Sequence, residues 1–314
     1  MQRGLSQLQR ITLQRMPALL PCAPRKGDSC GTRIKYAPSS RCPECQQKQL
    51  RQHAPPPPDG ALILDRDTAI IDAETGEVAV VYAVCAQVLA NDLAASLRNV
   101  GWMDQYADPS SAARLSGMAV VHNTFGYAPP SPLRRKWACS RSQFNSAYPL
   151  AAERLTEFCK LAEYVFRTQA TEVHDRTAHA VSAVIPSAWR IAGTPWTSGI
   201  INNTAALPYH RDRGNVPGSW SAMLGCREHV EGGLLHLVDY DVYLPIADGS
   251  ITIFDGHSVT HGVTPFNVLH PKGYRYTAVT YAKSMMSHCC PDPAGEAHRA
   301  ALRATEAQDA RANR

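Results

Sequence analysis

The chain has 314 residues, 44% hydrophobic and 19% charged, enough for one large domain or two smaller ones with a proper core. No run of eighteen apolar residues occurs and the N-terminus lacks an apolar signal core, so neither a membrane span nor a secretory signal is expected. The net charge of +5 is an N-terminal property: residues 1–53 hold ten Lys or Arg against two acids, and the remainder is slightly acidic. Such an arm suits an acidic polymer, and charge alone fits a solvated tail as well.

Residues 1–20 read as unordered or as a short helix. Arg3, Arg10 and Arg15, with no acid before Asp28, fit an organelle-targeting peptide or a start at Met16 equally. Residues 21–53 hold Cys22, Cys30, Cys42 and Cys45. The last two form a CxxC knuckle, which places two thiolates on one tetrahedral ion. The first pair is more widely spaced, and five basic residues fall among the four. The expectation is a small, basic, zinc-ribbon-like module, with four metal-free thiols as the alternative. Residues 54–60 are a stiff Pro-rich linker and the clearest domain boundary.

A domain over 61–285 follows. Ala69–Asp72 and Val78–Tyr82 flank Glu74-Thr75-Gly76-Glu77 as a β-hairpin. Helical spacing of apolar residues predicts helices over 84–98 and 150–168, and a further one is expected around 171–185. Residues 101–148 read as irregular, with aromatics interleaved among Arg134, Arg135 and Lys136. A loop region of that length inside a domain is usually functional or disordered. From 189 onward short strands are predicted at 197–203, 206–211, 219–225, 233–238, 241–244, 250–254, 259–263 and 274–282. The fold class expected is α+β: a double-stranded β-helix, the cupin-like jelly roll, braced by helices. The tail, 286–314, is read as a fraying helix without a role. The six cysteines beyond the arm do not form a disulfide framework, which points to a reducing intracellular compartment.

The chemistry starts at His210-Arg211-Asp212. Two residues apart on a strand, the imidazole and the carboxylate face one way and can grip one ion. Oxygen-activating non-haem Fe(II) sites add a second His, and the stretch 251–263 supplies His257 and His261. Arg275 follows His261 by fourteen residues, and Thr277 faces the same way as Arg275 on a strand. This order of HxD, distal His and Arg resembles the 2-oxoglutarate/Fe(II) dioxygenases. The resemblance implies Fe(II) on His210, Asp212 and His261, with 2-oxoglutarate and O2 as co-substrates. Arg275, with Thr277, would hold the far carboxylate of 2-oxoglutarate. His261 lies in His-Gly-Val-Thr-Pro, the family's form of the distal ligand strand, whereas His257 fits a turn contact.

A narrower resemblance covers roughly 61–285. Thr197-Ser198, Asn202-Asn203, the run from His210 to Met223, Glu231-Gly232-Gly233 and Thr124-Phe125-Gly126-Tyr127 are similar to the TET/JBP branch, closest to its phage-type members. That likeness implies oxidation of the 5-methyl group of 5-methylcytosine or thymine in duplex DNA, through an Fe(IV)-oxo species and a flipped-out base. Asn203, Asn215, Trp220, Phe125, Tyr127, Trp196 and His257 are the candidate pocket residues. Core packing is the bland role for each aromatic. A monomer is expected, in host cytoplasm for a phage protein or in the nucleus for a eukaryotic one. Two other readings remain open: the same chemistry on a prolyl or small-molecule substrate, and a non-enzymatic DNA-binding protein on a dead cupin scaffold.

Overall fold

The computed structural model of the protein describes residues 8–15, 54–102, 121–131, 137–203 and 206–312. Fifteen strands occur among them. In chain order they are β1 (Gln9–Leu13), β2 (Leu62–Ile63), β3 (Thr68–Asp72), β4 (Val78–Val84), β5 (Val121–Ala128), β6 (Ser140–Arg141), β7 (Ser198–Asn203) and β8 (Ser221–Glu228), then β9 (Val230–Gly232), β10 (Leu235–Leu237), β11 (Val242–Leu244), β12 (Ser250–Phe254), β13 (His261–Val263), β14 (Phe266–Val268) and β15 (Tyr274–Tyr281). Nine of them form one mixed sheet in the order β1-β3-β4-β12-β8-β15-β7-β5-β6; β13-β10-β11-β2 form a second, and β14 pairs with β9.

Both faces of the large sheet are covered, which is why β8 and β12 are buried almost throughout rather than alternating. One face meets helices α1 (Gln87–Leu97) and α3 (Pro149–Gln169). Leu93 and Leu97 of α1, with Leu155, Phe158 and Phe166 of α3, pack there on Ala222, Leu224, Ile251, Ile253 and Ala278. Each such side chain contributes about 1.5–3 kcal/mol by burial. Pro149 opens α3 at a position where its missing N–H costs nothing. The short α2 (Gln143–Ala147) precedes α3, and α4 (Thr171–Ser182) follows it. The other face meets the small sheet: Val80, Met223 and Phe254 pack on Leu235, Leu237, Val242, Leu244 and Val263.

The α+β class, the hairpin β3–β4 and the three long helices agree with the sequence. Five features differ. Gln9–Leu13, in a stretch read as unordered or helical, is a strand parallel to β3, because a sheet edge supplies the hydrogen bonds that the isolated segment lacks. The irregular stretch 101–148 contains β5, paired to β7 over six residues. Residues 206–211 make no strand; His210 forms an isolated bridge to His261 instead. The tail is an ordered helix, α5 (Pro293–Ala312), pinned by Glu296, whose carboxylate accepts from the backbone N–H of Cys139 and Cys290. Finally, Cys139 and Cys289 are bonded to each other across 150 residues, a single disulfide where no disulfide framework is expected. A separation that long leaves no local trace of the pairing. Cys22, Cys30, Cys42 and Cys45, and Arg134, Arg135 and Lys136, lie outside the described residues. No helix among the described residues is long and apolar enough to cross a membrane.

Candidate metal centre

The site is built where two chain segments cross. His210 and His261 exchange backbone hydrogen bonds, 2.8 Å from His210 N to His261 O and 3.0 Å in return. The bridge sets their rings 4.2 Å apart at 55°. Asp212 is fixed by its N–H donating to the Gly256 carbonyl at 2.8 Å. A side chain on Gly256 would meet Asp212 Oδ2 at 2.6 Å, so only glycine lets the carboxylate turn toward the imidazoles. Asp212 Oδ1 lies 3.7 Å from His210 Nε2, and Oδ2 lies 4.0 Å from His261 Nε2. One ligand atom from each of the three lies within 4.8 Å of the others, the one such group of three His, Cys, Asp or Glu among the described residues.

The second ring nitrogens explain the orientation. His210 Nδ1–H donates to the Pro208 carbonyl at 2.8 Å, and His261 Nδ1–H to the Val259 carbonyl at 3.0 Å. With the proton held on Nδ1, each Nε2 presents a lone pair to the centre, the tautomer a metal needs. Burial, helped by the nearby His210 ring, pushes the His261 pKa down to about 4, which keeps the imidazole neutral. Phe254 packs edge-on against His261 at 5.0 Å and makes an apolar wall. Two imidazoles and one carboxylate on one side of a partly enclosed point are a donor set suited to Fe(II).

Arg275 is 1% exposed and faces the space between the sheets. Its Nη2 donates to the Gly233 carbonyl at 3.4 Å, and its guanidinium lies 4.9 Å over the Phe266 ring. A Cβ on Gly233 would stand 2.9 Å from Arg275 Nε, so the glycine makes room for the cation. Burial first, then the charge of Arg227, pushes the Arg275 pKa down to about 9. A cation held under that penalty suits an anionic ligand. Thr277 lies opposite Asn202 on β7 and opposite Gly225 on β8, and His122 lies opposite Asn202 on β5. Directly opposed residues share a face, so His122, Asn202 and Thr277 make one polar row beside Arg275. Asn202 Nδ2 donates to Thr277 Oγ1 at 3.4 Å, while its Oδ1 is buried without a partner.

The pocket candidates divide. Asn215 sits in the turn after Asp212, buried, with Nδ2 donating to Ser221 Oγ at 3.0 Å; Ser221 in turn borders Gly256. His257 is half-buried in the adjacent turn and its Nδ1 is enclosed without a partner, but it does not join the three-residue group. Tyr127 is edge-on to Trp189 at 5.5 Å and packs against the cluster containing Val216. Trp220, Phe125 and Trp196 lie in the helix-side core, the packing role open to each aromatic. Trp220 stacks on Phe166 at 5.4 Å, Trp196 Nε1–H donates to the Trp220 carbonyl at 2.7 Å, and Phe125 lies flat over Gly199. Asn203 pairs with Tyr276 and so shares the helix-side face; Asn202 is the asparagine on the interior face. That exchange depends on strand pairing, which no short motif encodes. Lys283 forms an isolated backbone bridge with Asn215, across 68 residues, a contact that no local pattern signals.

No protein-family model matches the chain, and no curated protein matches it. Solved structures are similar in fold. NgTET1, solved in complex with 5mC DNA, aligns with a TM-score of 0.51 at 14% identity, over 74% of this chain and 85% of that one. A 2OG-Fe(II) oxygenase family oxidoreductase from Burkholderia pseudomallei aligns with a TM-score of 0.38 at 12% identity, over 65% and 85%. A BsmA homologue from Methylobium petroleophilum gives 0.35 at 12%, over 65% and 88%. The first shows a shared fold; the other two are too distant to carry an argument.

Proposed function

We propose that the protein is a 2-oxoglutarate/Fe(II) dioxygenase that hydroxylates the 5-methyl group of 5-methylcytosine, or of thymine, in DNA. The observation that carries this reading is the convergence of His210, Asp212 and His261, with both Nδ1 protons tied to backbone carbonyls, on a fold shared with NgTET1. In this reading the two facing sheets are the double-stranded β-helix, residues 61–285 are the catalytic domain and 286–314 a tail. Bound Fe(II) with 2-oxoglutarate and O2 supplies the oxidising power for an unactivated C–H bond.

The chain's own residues supply position and exclusion. His210, Asp212 and His261 would hold the metal through two imidazole Nε2 atoms and a carboxylate oxygen. Arg275 takes the distal carboxylate of 2-oxoglutarate as a buried cation, with Thr277 and Asn202 bordering it on the same face. Phe254 and Met223 exclude water between the sheets. A methyl group inside a duplex cannot reach an ion held between two sheets, so the base leaves the stack. Asn215, three residues beyond Asp212, offers an amide that can donate or accept, which accommodates either pyrimidine. The surplus of Lys and Arg in residues 1–53, a segment whose four cysteines are proposed to hold zinc, adds salt-sensitive affinity for phosphate. The phage-type subdivision of the TET/JBP branch belongs to the same proposal.

The test is nucleoside mass spectrometry of duplex DNA incubated with the purified protein, Fe(II) and 2-oxoglutarate. Loss of 5-methylcytosine, with appearance of its hydroxymethyl product and succinate, is expected from methylated duplex. Unchanged 5-methylcytosine and thymine would remove the DNA assignment, and absence of any 2-oxoglutarate turnover would remove the enzyme class.

A further inference from the structure

Behind the two histidines runs a hydrogen-bonded chain, buried at Tyr209 and His236 and reaching the surface at Asp241, that the chemistry above does not use. The Tyr209 hydroxyl lies 2.6 Å from His236 Nδ1, and His236 Nε2 lies 3.2 Å from Asp241 Oδ1. A carboxylate only accepts, so Nε2 carries the proton and donates to Asp241. Nδ1 is then bare and accepts from the Tyr209 hydroxyl. His236 is 6% exposed and stacks on Tyr243 at 4.2 Å and 3° between planes, which leaves its ring a single orientation.

The position of Tyr209 gives the chain its meaning. Tyr209 precedes His210 in sequence, and its ring covers Gly262, the neighbour of His261. A Cβ on Gly262 would stand 2.8 Å from Tyr209 Cδ1. β10 pairs with β13, so His236 lies opposite Gly262 and Leu237 opposite His261. One phenol therefore touches both segments that carry the histidines, and His236 determines where that phenol sits. At the far end, Asp241 adopts φ 47°, in the left-handed region where glycine is at ease and a side chain is strained. The carboxylate that bonds His236 stands at a position where the backbone alone would favour glycine.

We propose that Tyr209, His236 and Asp241 form a positioning chain for the metal centre, with His236 as its central positioning residue, fixing the spacing of the His210 and His261 segments. The inference rests on reading His210, Asp212 and His261 as metal ligands. Direct hydrogen-bond partners of metal-ligating side chains typically change affinity or activity 10–100-fold when removed; this chain acts one step further out, through the backbone segments that carry His210 and His261, so the low end of that range is expected.

The experiment is Co(II) titration of the full-length, metal-free protein, followed by visible absorption, for wild type, His210→Ala, Asp241→Gly, Asp241→Asn and Tyr209→Phe. Asp241→Gly removes the acceptor at an exposed site where glycine suits the backbone, so folding is preserved. Asp241→Asn keeps an oxygen acceptor in its place. Co(II) is expected to bind wild type and to lose its site in His210→Ala. Asp241→Gly and Tyr209→Phe are expected to weaken Kd about tenfold and to shift the absorption of the bound ion, while Asp241→Asn restores both. If wild type binds Co(II) and Asp241→Gly and Tyr209→Phe bind it with the same Kd and spectrum, the positioning chain is refuted and the metal site stands. If Asp241→Asn loses as much as Asp241→Gly, hydrogen bonding is not the agent and the proposal is likewise overturned. If wild type fails to bind Co(II), the metal reading falls first and takes this inference with it.

Discussion

The two faces of the nine-stranded sheet differ in content although the same strands build both: only the side toward the small sheet mixes a polar row with its apolar core. The helix side holds Ala222, Leu224, Ile251, Ile253 and Ala278, with Phe125 and Trp220 filling the gaps. The side toward the small sheet holds Asn202, Ser221, Thr252, Arg275 and Thr277, all buried. Side chains alternate along a strand, so sequence neighbours divide between the two: Asn203 from Asn202, Trp220 from Ser221, Tyr276 from Arg275. Nearness to a motif in sequence therefore does not make a residue part of a site. Parity along the strand decides it, and the polar face is the one the metal group shares.

Removing a ligand is the sharpest way to break this division. His210→Ala or His261→Ala is expected to lower 2-oxoglutarate turnover, measured as succinate, by more than about 100-fold, beyond the range typical for residues one step removed. A variant that kept turnover would show that the chemistry lies elsewhere. The next effect separates two adjacent residues of β15. Arg275→Lys loses the planar fork of donors and is expected to raise KM for 2-oxoglutarate about 30-fold, matching roughly 2 kcal/mol for a weakened buried charge pair. Tyr276→Phe, on the helix side, is expected to leave that KM unchanged. Equal effects at both positions would contradict the division of faces.

A second pair tests the same division through stability. Trp220→Ala opens a cavity against Phe166 and is expected to cost about 3–5 kcal/mol in denaturant unfolding, with KM for 2-oxoglutarate preserved in the folded fraction. Asn202→Ala removes one long hydrogen bond and an already unpaired oxygen, so its cost in unfolding is expected to stay under about 1 kcal/mol while KM rises.

What the chain reveals by itself follows from how local each signal is. The spacing of His210 and Asp212 and the helical period of Leu155, Phe158, Val165 and Phe166 can be read within a few residues. The hairpin β3–β4 is equally local, carried by a four-residue polar turn. Asn202 and Asn203 cannot be told apart that way, because only the pairing of β7 with β15, more than seventy residues on, says which one faces inward. β5 was hidden for the same reason: its polar residues His122, Asn123 and Thr124 do not look like a buried strand until β7 is placed beside them. The positioning chain behind the metal joins Tyr209 to His236 and Asp241, and neither the hydrogen-bond geometry nor the left-handed turn at Asp241 has a motif.

The C-terminal helix α5, far from the metal group in sequence, gives an effect that depends on pH. Glu296 is 1% exposed. Burial alone would raise its pKa, but the N–H groups of Cys290 and Cys139 hydrogen-bond the carboxylate and outweigh it, so the pKa is lowered overall. The sign follows: the unfolded chain binds the proton more readily, so the ionised side chain stabilises the fold above the unfolded carboxylate range, near pH 4.3. That contribution is lost as pH falls through the lowered folded value. Glu296→Gln is therefore expected to be less stable than wild type by about 1–3 kcal/mol at pH 7, with the gap closing below about pH 4. Reducing the Cys139–Cys289 bond, which ties the same two segments, is expected to widen the gap at pH 7, since the carboxylate would then carry a larger share of holding them. Urea unfolding of both proteins across pH, with and without reductant, measures it. A gap that stayed constant from pH 7 to pH 3 would mean that the helix is held by packing and not by the Glu296 carboxylate.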